Sequence, residues 1–324
     1  MFRTIRKIIL VLVVILLLVV GGAFAAMEIR LRRTFDAPYP SIAATTDPAV
    51  IERGRYLVYG PAACAYCHVP RDQWTKLQQG VELPLTGNHL FPLPFGAIYS
   101  ANITPDQETG IGRRTDGDLA RILRYGVRAD GKVAIPLMEF QGLSDEDLTA
   151  VVSFLKSRPA VRHPVPDHRL NMLGKAVMAF AIKPEGPLEP PPRTSPAGVS
   201  IERGSYLANR VSSCAGCHTE RSTRDGSLVG PRFAGGGRLD VAADPTKVYV
   251  TPNLTPDPKT GVIGAWTEEM FIVRFRQGEA IPGSPMPWGA YAQMTDDNLR
   301  SLFSYLRSLP PVERETGPRV QAKN

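Results

Sequence analysis

All four cysteines of this 324-residue chain fall in two copies of one pentapeptide, Cys64-Ala65-Tyr66-Cys67-His68 and Cys214-Ala215-Gly216-Cys217-His218. At this spacing two thiols add across the vinyl groups of one haem while the adjacent imidazole reaches its iron. Two haem c groups are therefore expected, held covalently by Cys64, Cys67, Cys214 and Cys217, with His68 and His218 as axial ligands. A chain so marked must build an apolar core around each flat cofactor, and its length is enough for two such cores. One zinc site would need cysteine pairs about 150 residues apart to converge, and a thioredoxin-type dithiol leaves the two histidines unexplained.

An internal repeat surrounds the motifs. Ile51-Glu52-Arg53-Gly54 recurs as Ile201-Glu202-Arg203-Gly204, and Asn102-Ile103-Thr104-Pro105-Asp106 as Asn253-Leu254-Thr255-Pro256-Asp257. Leu143-Ser144-Asp145-Glu146-Asp147-Leu148 matches Met294-Thr295-Asp296-Asp297-Asn298-Leu299. The near-constant offset marks a duplicated domain.

Each copy reads as helical. Asp47-Pro48 starts a helix leading towards the first motif. Thr115-Asp116-Gly117-Asp118 has the form of a capping box before an apolar stripe that stops near Gly126, and Thr267 to Gly278 is its counterpart. Ser144 caps a helix with Leu148, Val151, Val152 and Leu155 on one face; Thr295 to Leu309 repeats that design. The expected fold is all-α: two tandem class I cytochrome c-like helical domains after an N-terminal transmembrane helix. The boundaries are an anchor over 1–33, a first domain over 34–160, a linker over 161–198, a second domain over 199–312 and a tail over 313–324. Nine prolines in 159–198 make the linker stiff and partly extended. Within it, the apolar stretch Leu170 to Ile182 is expected to pack between the two domains rather than against a partner or a membrane surface.

A second axial ligand must come from each repeat. Met138 and Met286 lie in matching loops and are the candidates for the first and second iron. Met294 and Met270 are read as packing residues, and His89, His163 and His168 as surface residues, with His89 the runner-up for the first iron. Pro70 is read as shaping the loop beside His68. Asn102 and Asn253 either bond haem propionates or cap turns.

Ile8 to Ala26 is an uncharged, apolar run long enough to approach the span of a hydrocarbon core about 30 Å thick. It exceeds the usual signal-peptide apolar region, so a retained anchor is favoured over a cleaved leader. Haem attachment outside the cytoplasmic membrane then puts the N-terminus in the cytoplasm and both motifs in the periplasm. Six basic residues against Glu28 place +5 of the formal net charge of +7 within residues 1–33, which removes the case for nucleic acid.

Arg53 to Leu57, Arg203 to Leu207, Asn102 to Asp106, Thr109 to Gly112 and Met286 to Trp288 together resemble the cytochrome c subunits of membrane-bound periplasmic alcohol, aldehyde and gluconate dehydrogenases. The resemblance covers roughly residues 50–312. Members usually carry three haem motifs where this chain has two; Arg114 stands in place of Trp, and Glu139 in place of the Pro after the ligand Met. It implies an inner-membrane electron relay with a single N-terminal pass, taking electrons from a periplasmic or membrane-bound dehydrogenase. Quinone, another cytochrome or a terminal oxidase would be the acceptor. An electron-transfer subunit is favoured over a catalyst in its own right; the rival is a dihaem enzyme of the peroxidase or thiosulfate-oxidising type.

Overall fold

The computed structural model describes residues 2–222, 226–241, 244, 246–281 and 284–323. It opens with α1 (Phe2–Leu31), a helix long and apolar enough to cross a membrane. Its side chains from Ile8 to Val20 are exposed on every face, a surface that suits lipid and not water.

The first half of the body comprises α2 (Pro48–Tyr59), α3 (Cys64–His68), α4 (Trp74–Gln78), a β1–β2 hairpin (Leu90–Leu93 and Gly96–Tyr99), α5 (Asp116–Tyr125) and α6 (Asp145–Ser157). Strand β3 (Arg169–Leu170) and helix α7 (Met172–Phe180) follow. The second half repeats the plan with α8 (Ile201–Tyr206), α9 (Cys214–Cys217), strands β4 (Arg238–Asp240) and β5 (Lys247–Val250), α10 (Glu268–Arg276), α11 (Trp288–Tyr291), α12 (Asp296–Ser308) and β6 (Val320–Ala322).

Local chemistry accounts for the helix boundaries. Asp47 accepts a hydrogen bond from the Ala49 amide, with Pro48 in the first turn. Thr115 and Asp118 form a reciprocal capping box, and Gly126 closes α5 at φ 64°. Ser144 and Thr295 cap α6 and α12 through the amides three residues on.

The repeated Arg-Gly of α2 and α8 is a packing device. A Cβ at Gly54 would be driven into the Ala150 carbonyl on α6, and one at Gly204 into the Ser301 carbonyl on α12. Glycine lets each helix pair cross at backbone contact. The preceding arginines then reach the same neighbours: Arg53 Nε donates to Asp147 Oδ1 at 2.6 Å, and Arg203 Nε to Asn298 Oδ1 at 2.9 Å.

The all-α expectation is corrected. The described residues are helix-rich but carry two three-stranded antiparallel sheets, β1-β2-β3 and β4-β5-β6. Each takes its third strand from far along the chain: Gly96 pairs with Leu170, and Lys247 with Ala322. Two short strands bury too little to be legible alone, and their completing strands lie in segments that read as linker and tail.

The Leu170–Ile182 stretch also departs from expectation. Helix α7 packs on the end of α1 and on the turn of the β1–β2 hairpin, where Asn171 Nδ2 donates to Pro94 O at 3.0 Å and the Asn171 amide to Phe95 O at 3.1 Å. What joins the halves is a shared core in which Leu57, Val58, Leu143 and Phe154 pack in one cluster with Tyr206, Leu207, Val211 and Leu299.

Candidate cofactor-binding sites

Both cysteine motifs begin from a strained residue. Ala63 (φ 49°) and Ser213 (φ 45°) occupy the left-handed region immediately before Cys64 and Cys214. Such a conformation costs a non-glycine residue roughly 1–2 kcal/mol, and its recurrence at equivalent positions shows that the entry angle of the motif helix is imposed by the surrounding fold. One helical turn sets the two thiols of each motif on one side. The four cysteines form no disulfide. Burial pushes Cys64 and Cys214 up to about 12 and Cys67 up to about 11, so these thiols lack the lowered pKa of a reactive dithiol. Among the described residues no cluster of three His, Cys, Asp or Glu side chains is placed to hold a metal ion.

The histidines are held alike. His68 Nδ1 donates to Ala101 O at 2.8 Å, and His218 Nδ1 to Pro252 O at 3.1 Å. A carbonyl can only accept, so the proton sits on Nδ1 and the Nε2 lone pair is left for an iron. Burial lowers the His68 imidazole and takes His218 down to about 4, which keeps both neutral as ligation demands. The carbonyls lie 33 and 34 residues downstream of their histidines, so the loop shaping assigned to Pro70 belongs to these distant segments.

Asn102 and Asn253 hold those segments. Asn102 Nδ2 donates to Thr109 Oγ1 (3.1 Å) and Val161 O (2.9 Å), while its Oδ1 accepts from the amide and hydroxyl of Thr104. Asn253 makes the same set with Thr260, Val312 and Thr255. Of the two sequence alternatives, turn capping is the one observed.

Met138 and Met286 are both half-buried. Met138 lines a small cavity with Ile122, Gly126, Ile135 and Gln141. Met286 packs against the shared core, just before Trp288, over which the Arg274 guanidinium stacks at 3.7 Å. Met294 is fully buried as read, whereas Met270 is half exposed and does not pack.

His89 is not a surface residue. It is buried, stacked on Trp74 at 5.0 Å and flanked by Phe91 at 4.5 Å. Burial, with Arg71 and His68 nearby, pushes it down to about 4. His89 Nδ1 and Trp74 Nε1 are buried without a partner, so the first half holds unsatisfied polar atoms beside the loop that carries Gly87, whose amide donates to His68 O. A bound group with carboxylates would satisfy such atoms. His163 is half-buried with its Nε2 also unpartnered; His168 is exposed as expected.

Residues beside the two motifs meet across the joint between halves. Tyr291 lies near Cys67, Cys214 and Cys217, and its hydroxyl donates to Ser212 O at 3.2 Å. Ser212 Oγ in turn donates to Pro61 O at 2.8 Å. The Met138 loop sends Glu139 to Arg221 at 3.2 Å, alongside Gly216 of the second motif. The Met286 loop places Gly289 against Tyr66 of the first. Thus Glu139, which departs from the Met-Pro pattern, spans the joint. No local sequence signal marks these pairings, because their members lie at least 74 residues apart.

Residues 201–310 match the family model for cytochrome c. The chain is 31% identical over 319 residues to the cytochrome c subunit of a quinone alcohol dehydrogenase from Gluconacetobacter polyoxogenes, covering 89% of this chain and 64% of that one. It is 28% identical over 298 residues to the fructose dehydrogenase cytochrome subunit of Gluconobacter japonicus (87% and 56%). To a diheme cytochrome c-type protein of Cereibacter sphaeroides it is 25% identical over 280 residues (79% and 85%). The chain thus spans less than two thirds of the dehydrogenase subunits it resembles.

Proposed function

We propose, for a chain with a cytochrome c domain and a sequence akin to the cytochrome c subunits of quinone-linked dehydrogenases, that it is a membrane-anchored relay carrying two haem c groups. Haem c supplies one-electron oxidation and reduction when bound. Cys64 and Cys67 hold the first group and Cys214 and Cys217 the second. His68 and His218 would present Nε2 to the irons, and Met138 and Met286 would supply the other protein ligands. The observation carrying this reading is the pair of Nδ1–carbonyl bonds, which fixes the same tautomer and orientation in both histidines. Histidine–methionine ligation closes an iron to substrate, which favours an electron carrier over a dihaem peroxidase or thiosulfate-oxidising enzyme.

Helix α1 holds the body to the periplasmic face of the inner membrane. The donor is a periplasmic or membrane-bound dehydrogenase, and the acceptor is quinone, a second cytochrome or an oxidase. Tyr291, near cysteines of both motifs, supports transfer from one centre to the other within the chain.

Intact mass of the purified protein should show two covalent haems. Met138→Ala and Met286→Ala should each remove the methionine–iron charge-transfer band from one haem and let carbon monoxide bind the reduced form there. Retention of a six-coordinate spectrum in Met138→Ala would overturn the first assignment and point to His89.

A further inference from the structure

We propose that α7 lies in the outer headgroup layer of the membrane, as an amphipathic helix bound to lipid beside the point where α1 emerges. This rests on the reading of α1 as an anchor. The uncharged run of α1 ends at Ala26, and α7 is fixed to the residues just beyond it. Met27 is buried, Lys175 Nζ lies 3.7 Å from Glu28 Oε1, and the Arg30 guanidinium stands 4.9 Å over the Phe180 ring. Four residues of helix advance only about 6 Å, whereas the headgroup layer on each side of a hydrocarbon core is about 5–8 Å thick. A helix held there is at the bilayer surface by geometry.

Its composition fits that position. Gly174 and Ala179 face inward, with no room for a Cβ between Gly174 and Phe95 O. Met172, Leu173 and Phe180 stay 50%, 58% and 49% exposed, a cost in water that lipid would remove. The helix contains no acidic residue, Arg169 and Lys183 flank it along the chain, and Arg32 and Arg33 follow the end of α1, which suits the phosphates of anionic lipid. Because α7 is bonded to the β1–β2 turn, lipid contact would hold the first half of the body against the membrane.

Nitroxide labels at Met172→Cys and Leu173→Cys in the full holoprotein, reconstituted in phosphatidylethanolamine–phosphatidylglycerol vesicles, test this. Leu12→Cys in α1 and Lys259→Cys, at an exposed position of the second half, serve as references. The expected result is an oxygen-to-nickel-chelate collision ratio at positions 172 and 173 several-fold above that at 259 and below that at 12. A ratio at 172 and 173 equal to that at 259, with position 12 lipid-exposed, overturns the proposal while leaving the anchor intact. An aqueous signature at position 12 overturns the anchor, and this inference with it.

Discussion

His68 and His218 show how little freedom an imidazole retains once one nitrogen is committed. Each Nδ1 is spent on one backbone carbonyl, so the ring's orientation is set by loops that Asn102 and Asn253 hold in place. His89 behaves differently. Its pKa of about 4 in the fold lies below the ordinary value of 6.5. The unfolded chain therefore takes up the proton first as pH falls. The stability that follows is complete above about pH 6.5, declines as pH falls towards about 4 and levels off below; it amounts to at most about 3 kcal/mol. As the pH is lowered across that range, the melting temperature of wild type should fall relative to that of His89→Phe, which carries no group that titrates there.

At the scale of elements, two glycines decide how the helices cross. Gly204→Ala forces a methyl group into the Ser301 carbonyl, where backbone on both sides leaves nothing to yield. A loss of about 3 kcal/mol or more is expected, on the scale of severe overpacking, with a lowered melting temperature and reduced haem incorporation. The capped helices were legible because a cap and an apolar stripe lie within one or two turns. The sheets were not, since β3 joins β2 from about 70 residues away and β6 joins β5 from a similar distance. A sequence window sees two short, half-buried strands and no partner.

The molecule as a whole is tied together by an exchange of tyrosines. Tyr206 Oη donates to Asp147 Oδ2 at 2.6 Å and accepts from the Ser144 amide at 2.9 Å, at the start of α6. Tyr56 Oη accepts from Asn298 Nδ2 at 2.6 Å and from the Thr295 amide at 3.1 Å, at the start of α12. Ser195 lies across the joint, accepting from Arg53 Nη2 at 2.5 Å and from Arg203 Nη1 at 3.2 Å. Tyr206→Phe leaves the buried Asp147 carboxylate short of a donor, a change worth about 1–3 kcal/mol. Faster proteolysis within residues 183–198, with haem content unchanged, is the expected consequence. Unchanged proteolysis would show that the shared core alone holds the halves.

The repeated Arg-Gly-x-Tyr segment marks the division between what can be read in the chain and what cannot. By itself the sequence determined the cysteine and histidine positions, the duplicated helices and the apolar N-terminal run, because each is a pattern closed within a few turns of chain. The tertiary structure alone decided that the arginine serves its own half while the tyrosine serves the other. It also decided that His89 is buried, that α7 joins α1, and which carbonyl orients each histidine. Those outcomes rest on groups brought together from tens to hundreds of residues apart, where burial and hydrogen-bond geometry, not local spacing, select the partner.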